Sequence, residues 1–191
     1  MCKSAQKGSP LNHQKLLCAA LSSGADKAVI IPQSKVILSG EFRKICETNQ
    51  CGNFAQCWMC PPFIGPIDML MAQVRTYPHG LLYQTIHLIE DSYDIEGMFT
   101  AGAIHAQVGQ RLQKAAKDSL DLPFLHLSCG GCHLCNTCAK QENAPCRHPE
   151  SALSSMEGYG IDVYNTSQNT GLSYINGTNT VTYFGLILFS E

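Results

Sequence analysis

The sequence predicts one compact domain of mixed class, α/β or α+β, with a central, mostly apolar sheet flanked by helices. Three observations predict it. The 191 residues are 45% apolar and 15% charged, enough for a single sizeable core and too few for several domains. Short apolar runs alternate along the chain with segments whose apolar residues recur at helical spacing. Nine of the eleven cysteines fall in two windows, Cys46–Cys60 and Cys129–Cys146, that follow neither periodicity. The expected organisation is a flexible polar tail over residues 1–9 and one domain over 10–191, with irregular loops at 44–66 and 129–149.

Each element follows from local pattern. Leu11 to Ser23 carries Leu16, Leu17, Ala20 and Leu21 at helical spacing, and Gly24 supplies a stop. Ala28-Val29-Ile30-Ile31 reads as a short buried strand closed by Pro32, with Val36 to Leu38 a second extended piece. Residues 44–66 contain Pro61-Pro62 and Gly65-Pro66 and read as irregular. Ile67 to Tyr77 returns to helical spacing, and Gly80 to Ile89 is a strongly apolar strand. From Asp94 to Leu120, Ala101, Ile104, Val108, Leu112 and Ala115 mark one face of a long helix. Gly97, Gly102 and Gly109 oppose it, each costing on the order of 1 kcal/mol relative to alanine. Phe124 to Leu127 is a strand leading into the second window. Ser154 with Glu157 has the pattern of a capping box for a helix through Asn165, and Val181 to Phe189 is a final strand.

Charge narrows the function classes. A formal net charge of −2 and a pI near 6.4 leave no basic field for a nucleic-acid backbone. No apolar run approaches the roughly 20 residues of a membrane-spanning helix, and polar Met1 to Lys15 lacks the apolar region of a secretory signal. The expectation is a cytoplasmic protein with neither a nucleic-acid nor a membrane partner.

The cysteines carry the chemistry. Neighbours two residues apart in one loop cannot all reach disulfide geometry, but they can all point at one metal centre. The second window reads Cys129-Gly-Gly-Cys132-His-Leu-Cys135-Asn-Thr-Cys138, then Cys146-Arg-His-Pro149. An unbroken stride of two intervening residues approaches the C-x2-C-x2-C run of bacterial ferredoxins. Structural zinc sites instead separate two knuckles by a dozen or more residues. The first window, Cys46-x4-Cys51-x5-Cys57-x2-Cys60-Pro61-Pro62, supplies a second set of four thiolates. Phe54 and Trp58 offer it an apolar wall that would exclude solvent, or serve as ordinary core; zinc is the alternative metal there.

These residues also carry a resemblance. The string Cys46…Cys51-Gly-Asn-Phe…Trp58-Met-Cys60-Pro-Pro, then Cys132-x2-Cys135-x2-Cys138…Pro145-Cys146-Arg-His-Pro and Ser155-Met-Glu-x-Tyr-Gly-Ile-Asp-Val163, resembles a family of small predicted metal-binding proteins, domain of unknown function 2284. The likeness runs from about Ala25 to the C-terminus. It implies metal binding without a defined reaction. It falls on Cys46, Cys51, Cys60, Cys132, Cys135, Cys138 and Cys146, whereas Cys57 and Cys129 stand outside it and Phe54 occupies a position where the family has tyrosine.

The expected ligand sets are Cys46, Cys51, Cys57 and Cys60 for one centre and Cys132, Cys135, Cys138 and Cys146 for the other, with Cys129 a spare or substitute. His133 and His148 are further candidates as ligands or as hydrogen-bonding neighbours of sulfur. Arg43, Lys44 and Arg147 could offset thiolate charge or simply be solvated. Cys18 reads as core, and Gly158-x-Gly160 lacks the rest of a nucleotide-binding fingerprint. The leading reading is a ferredoxin-like carrier with two [4Fe–4S] clusters, passing single electrons to a redox partner protein. A second is a redox enzyme or reductive activator using one cluster at a site lined by Met156 to Val163. A third is a structural zinc or iron–sulfur protein. Oligomeric state is left open.

Overall fold

In the computed structural model, residues 11–119 and 123–190 are described; the expected polar tail and Cys2 lie outside them. Ten helices and strands follow in order: α1 (Leu11–Ser22), β1 (Lys27–Pro32), α2 (Glu41–Glu47), α3 (Ile67–Arg75), β2 (His79–Leu88), α4 (Ile95–Ser119), β3 (Phe124–Ser128), β4 (Ser154–Ser155), α5 (Val163–Gln168) and β5 (Thr180–Phe189). The strands form one sheet in the order β1-β2-β5-β3-β4. Neighbours are antiparallel, except for a two-residue parallel pairing of β3 with β4. The class is therefore α+β, one of the two alternatives the sequence allowed.

The long central strands are apolar because both faces are covered. Leu81, Tyr83, Ile187 and Phe189 pack on one side with Leu16, Leu17 and Ala20 of α1 and Val108, Leu112 and Ala116 of α4. Leu82, Leu186 and Leu188 pack on the other with Leu70 and Val74 of α3, Met156 and Ile161. Alternate residues of each strand thus feed opposite layers. Among the described residues no helix is long and apolar enough to cross a membrane.

Three local expectations are corrected. The capping box does not form: Ser154-Ser155 is strand β4, Glu157–Tyr159 is a single 3-10 turn, and Gly160 at φ 75° ends it. Helix α5 starts later, where the Asp162 carboxylate accepts a hydrogen bond from the Asn165 N–H at 2.9 Å. The start of the first cysteine loop is helical, because α2 runs through Cys46 to Glu47. On α4 Ala101, Val108 and Leu112 are buried as expected, but His105 and Ala116 take the core places expected of Ile104 and Ala115. His105 is fully buried, whereas Ile104 is 41% exposed.

Candidate metal centre

The two cysteine windows leave the fold at different elements and meet beside one end of the sheet. Cys46 sits in the last turn of α2. The buried Arg43 one turn before it donates from Nη2 to the Gly65 carbonyl at 2.7 Å, tying the helix to the far end of its own loop. Between them the chain advances by tight turns. Asn49, at φ 54°, accepts the Phe54 N–H on Oδ1 at 3.0 Å, and the Cys60 N–H donates to the Cys57 carbonyl at 3.0 Å. Cys57 and Cys60 are thereby turned inward and buried, while Cys51 is exposed.

Strand β3 delivers the second window. Its first turn needs Gly130, at φ 62°, and a side chain at Gly131 would have to displace that of Asn53. A Cβ there would stand 2.7–3.1 Å from the Asn53 amide of the first window. Cys138 opens a short 3-10 turn, Ala139–Glu142, ended by Asn143 in the left-handed region. Further on, the Trp58 Nε1–H donates to the Ala144 carbonyl at 2.9 Å across 86 residues of sequence. The Lys140 ammonium stands 5.1 Å from the Trp58 ring centroid and 4.6 Å from that of Phe63, so it clips the loops together by cation–π attraction.

The thiols converge across the windows. The Cys57 thiol is electrostatically linked to those of Cys60 and Cys138, and one small cavity of about 20 Å³ is lined by Cys57 together with Cys132, Cys135, Cys138 and Cys146. Trp58, Leu134 and Ala139 give that cavity an apolar wall, and His148 borders it. Cys46 and Cys60 both feel the charge of Cys51. Cys129 faces elsewhere, toward Glu157 and the buried Tyr83. His133 is exposed. All ten described cysteines are free thiols. Among the described residues, no three His, Cys, Asp or Glu side chains stand grouped so as to hold a single metal ion.

Electrostatics distinguish the thiols. Burial pushes the Cys132 thiol up, and it does the same to Cys46, where the nearby Glu157 carboxylate adds and Arg43 subtracts; Cys60 is raised first by acting as donor to Cys57 and then by burial. Cys129 is pushed up to about 12, again chiefly by burial. Cys57 is lowered, because the Cys60 thiol donates to its sulfur. The Arg147 guanidinium bonds the Thr137 carbonyl and Glu142 and is raised by its interaction with Cys135, and the His148 N–H points at Cys146 Sγ at 3.4 Å. Of the three cations expected to offset thiolate charge, Arg43 and Arg147 do so. Lys44 pairs instead with exposed Glu41 at 2.8 Å.

Sequence reasoning missed what lies beneath the second window. Tyr83 and His126 Nε2 are 2.9 Å apart, and His126 Nδ1 is 2.9 Å from Gln113 Oε1. A carbonyl oxygen only accepts, so Nδ1 carries the proton and Nε2 accepts from the Tyr83 hydroxyl. The signal was a glycine: Gly185 lies opposite Tyr83 in the β2–β5 register and leaves room for its ring. A sulfur-rich donor set drawn from two loops, walled by apolar side chains and faced by guanidinium and N–H donors, fits thiolate-bound metal. No curated protein and no solved structure matches the chain significantly. The pattern of one family spans residues 29–189, and the chain belongs to that family, the predicted metal-binding proteins of domain of unknown function 2284.

Proposed function

We propose that this protein is a cytoplasmic iron–sulfur protein that carries two [4Fe–4S] clusters and passes electrons singly to a protein partner. Cys46, Cys51, Cys57 and Cys60 would hold one cluster and Cys132, Cys135, Cys138 and Cys146 the other, with Cys129 spare. Such clusters, when bound, supply reversible one-electron reduction. The carrying observation is that Cys57 of the first window lines one small cavity together with Cys132, Cys135, Cys138 and Cys146 of the second, so the two donor sets adjoin. The chain's own contribution is charge and solvent control. Arg147 and the His148 N–H face the second set, Arg43 faces the first, and Trp58 walls the space between.

Anaerobic purification with iron, zinc and acid-labile sulfide counted per chain tests this. Two cubanes give about eight irons and about eight sulfides, whereas stoichiometric zinc without sulfide overturns the proposal. Cys129→Ala keeps full iron, while Cys135→Ala loses about half. The reverse result moves the second set to include Cys129. A redox enzyme is the second reading. It is favoured by a cavity of about 610 Å³ that Cys129 and Glu157 line, within the segment Met156 to Val163 and next to the cysteine loops.

A further inference from the structure

We infer that this cavity is a binding site for an uncharged, planar, polycyclic heteroaromatic molecule with a hydrogen-bonding edge. The inference goes beyond the metal reading and stands on the shape and charge of the cavity alone. Its volume, about 610 Å³, lies inside the roughly 300–1,000 Å³ of small-molecule sites. The space is built into the sequence, because α4 turns Gly102, Ala103 and Ala106 toward it. A Cβ on Gly102 would meet Tyr183 at an ordinary 3.5 Å, so close packing does not require glycine there. An interior helix glycine costs on the order of 1 kcal/mol. Here it keeps volume open.

The walls select a flat ring. Tyr174 and Phe184 lie stacked with 12° between their planes, and Tyr183 is pinned by donating its hydroxyl to the Met98 carbonyl at 2.7 Å. Phe99, 75% exposed, adds a fourth ring at the cavity wall. Pre-positioned rings stack on an aromatic ligand at little entropic expense. Charge then sets the sign. Among the described residues no Lys or Arg lines the cavity, and its one imidazole, His133, is exposed to water, so a phosphate or carboxylate would enter without a buried counter-ion. The polar groups that do line it include the Gln50 and Asn53 amides and Glu157.

The probe is lumichrome, a flat tricycle uncharged near neutral pH, set against flavin mononucleotide, a similar ring system bearing a phosphate. Equilibrium dialysis uses the full-length protein, purified anaerobically with its metal. Lumichrome is expected to bind saturably and one-to-one, and flavin mononucleotide at least tenfold more weakly. Ala106→Leu, which fills the cavity, weakens lumichrome at least tenfold. Phe99→Ala, at a side chain too exposed to support the fold, weakens it about three- to tenfold. Iron and sulfide counted on the same samples separate loss of ligand from loss of metal. No saturable binding to the unmodified protein, equal or tighter binding of flavin mononucleotide, or unchanged binding by both variants would overturn the site.

Discussion

Gly185→Ala isolates the support beneath the second cysteine window. Gly185 pairs with Tyr83 across β2 and β5. A Cβ there would collide with Tyr83 Cζ and the phenolic oxygen and stand 2.6 Å from Cε1. Tyr83 is fully buried and cannot yield without breaking its bond to His126 Nε2. Overpacking costs about 1–3 kcal/mol, and a stranded buried ring nitrogen costs about 1–3 kcal/mol more. At a midpoint of about 4 kcal/mol, the melting temperature of a chain this size falls by about 8–16 °C. The assay is urea unfolding by circular dichroism, with a double-mutant cycle. In a Tyr83→Leu background the collision partner is gone, and Gly185→Ala should then cost less than about 1 kcal/mol. Two costs that simply add, or a Gly185→Ala protein within about 1 kcal/mol of the parent, would refute the reasoning.

Acid sensitivity follows from two buried imidazoles. Burial lowers His126 to about 3 and His105 to about 4, against about 6.5 unfolded. Between those values the unfolded chain binds more protons, so stability is full above about pH 6.5 and falls toward the folded values, by at most about 1.4 kcal/mol per pH unit for each histidine. His126→Gln should remove its share of the slope in urea unfolding measured from pH 7 to 4.5; an unchanged slope would exclude this origin. Trp58→Phe keeps a ring near Lys140 but loses the bond to the Ala144 carbonyl, worth about 1 kcal/mol. It should speed iron loss to a chelator severalfold, and Trp58→Ala more so, with equal release by all three counting against the clip. Metal removal should leave most far-ultraviolet circular dichroism, because the two core layers lie in the sheet and its helices. It should also expose Lys140 and Arg147 to trypsin, and either complete unfolding or unchanged cleavage would contradict this.

What was legible in the sequence had a period. The strands around Leu81 and Leu186 and the helices α1, α3 and α4 announce themselves through apolar spacing, and the cysteine stride marks both loops. What was not legible depends on contacts between distant residues. Helix α2 was hidden because its seven residues carry little apolar pattern and their anchor is Arg43 on Gly65. The capping box at Ser154 failed because β3 captured Ser154-Ser155 as a parallel strand, a tertiary pairing that local propensity does not see. Glu157 reads as a helix cap and also, within Met156 to Val163, as part of a site lining. It lines the cavity and acts on Cys46 and Cys129, from opposite ends of the sequence pattern.

The thiols themselves argue for coordination over thiol chemistry. A nucleophilic or redox-active cysteine sits in an electropositive, accessible place that lowers its pKa. Here burial raises Cys46, Cys129 and Cys132, and Cys60 is raised first by donating to Cys57 and then by burial. The lowered one, Cys57, owes its shift first to the neighbouring Cys60 thiol and is buried away from solvent. Arg43 and Arg147 are the two guanidiniums that face the set, too few to hold eight thiolates ionised. The positive charge that would deprotonate such a group is that of the metal, which displaces the protons as it binds. Burial that would disable a reactive thiol therefore suits a ligand, since it excludes competing water and keeps Cys46 and Cys132 protonated until metal arrives.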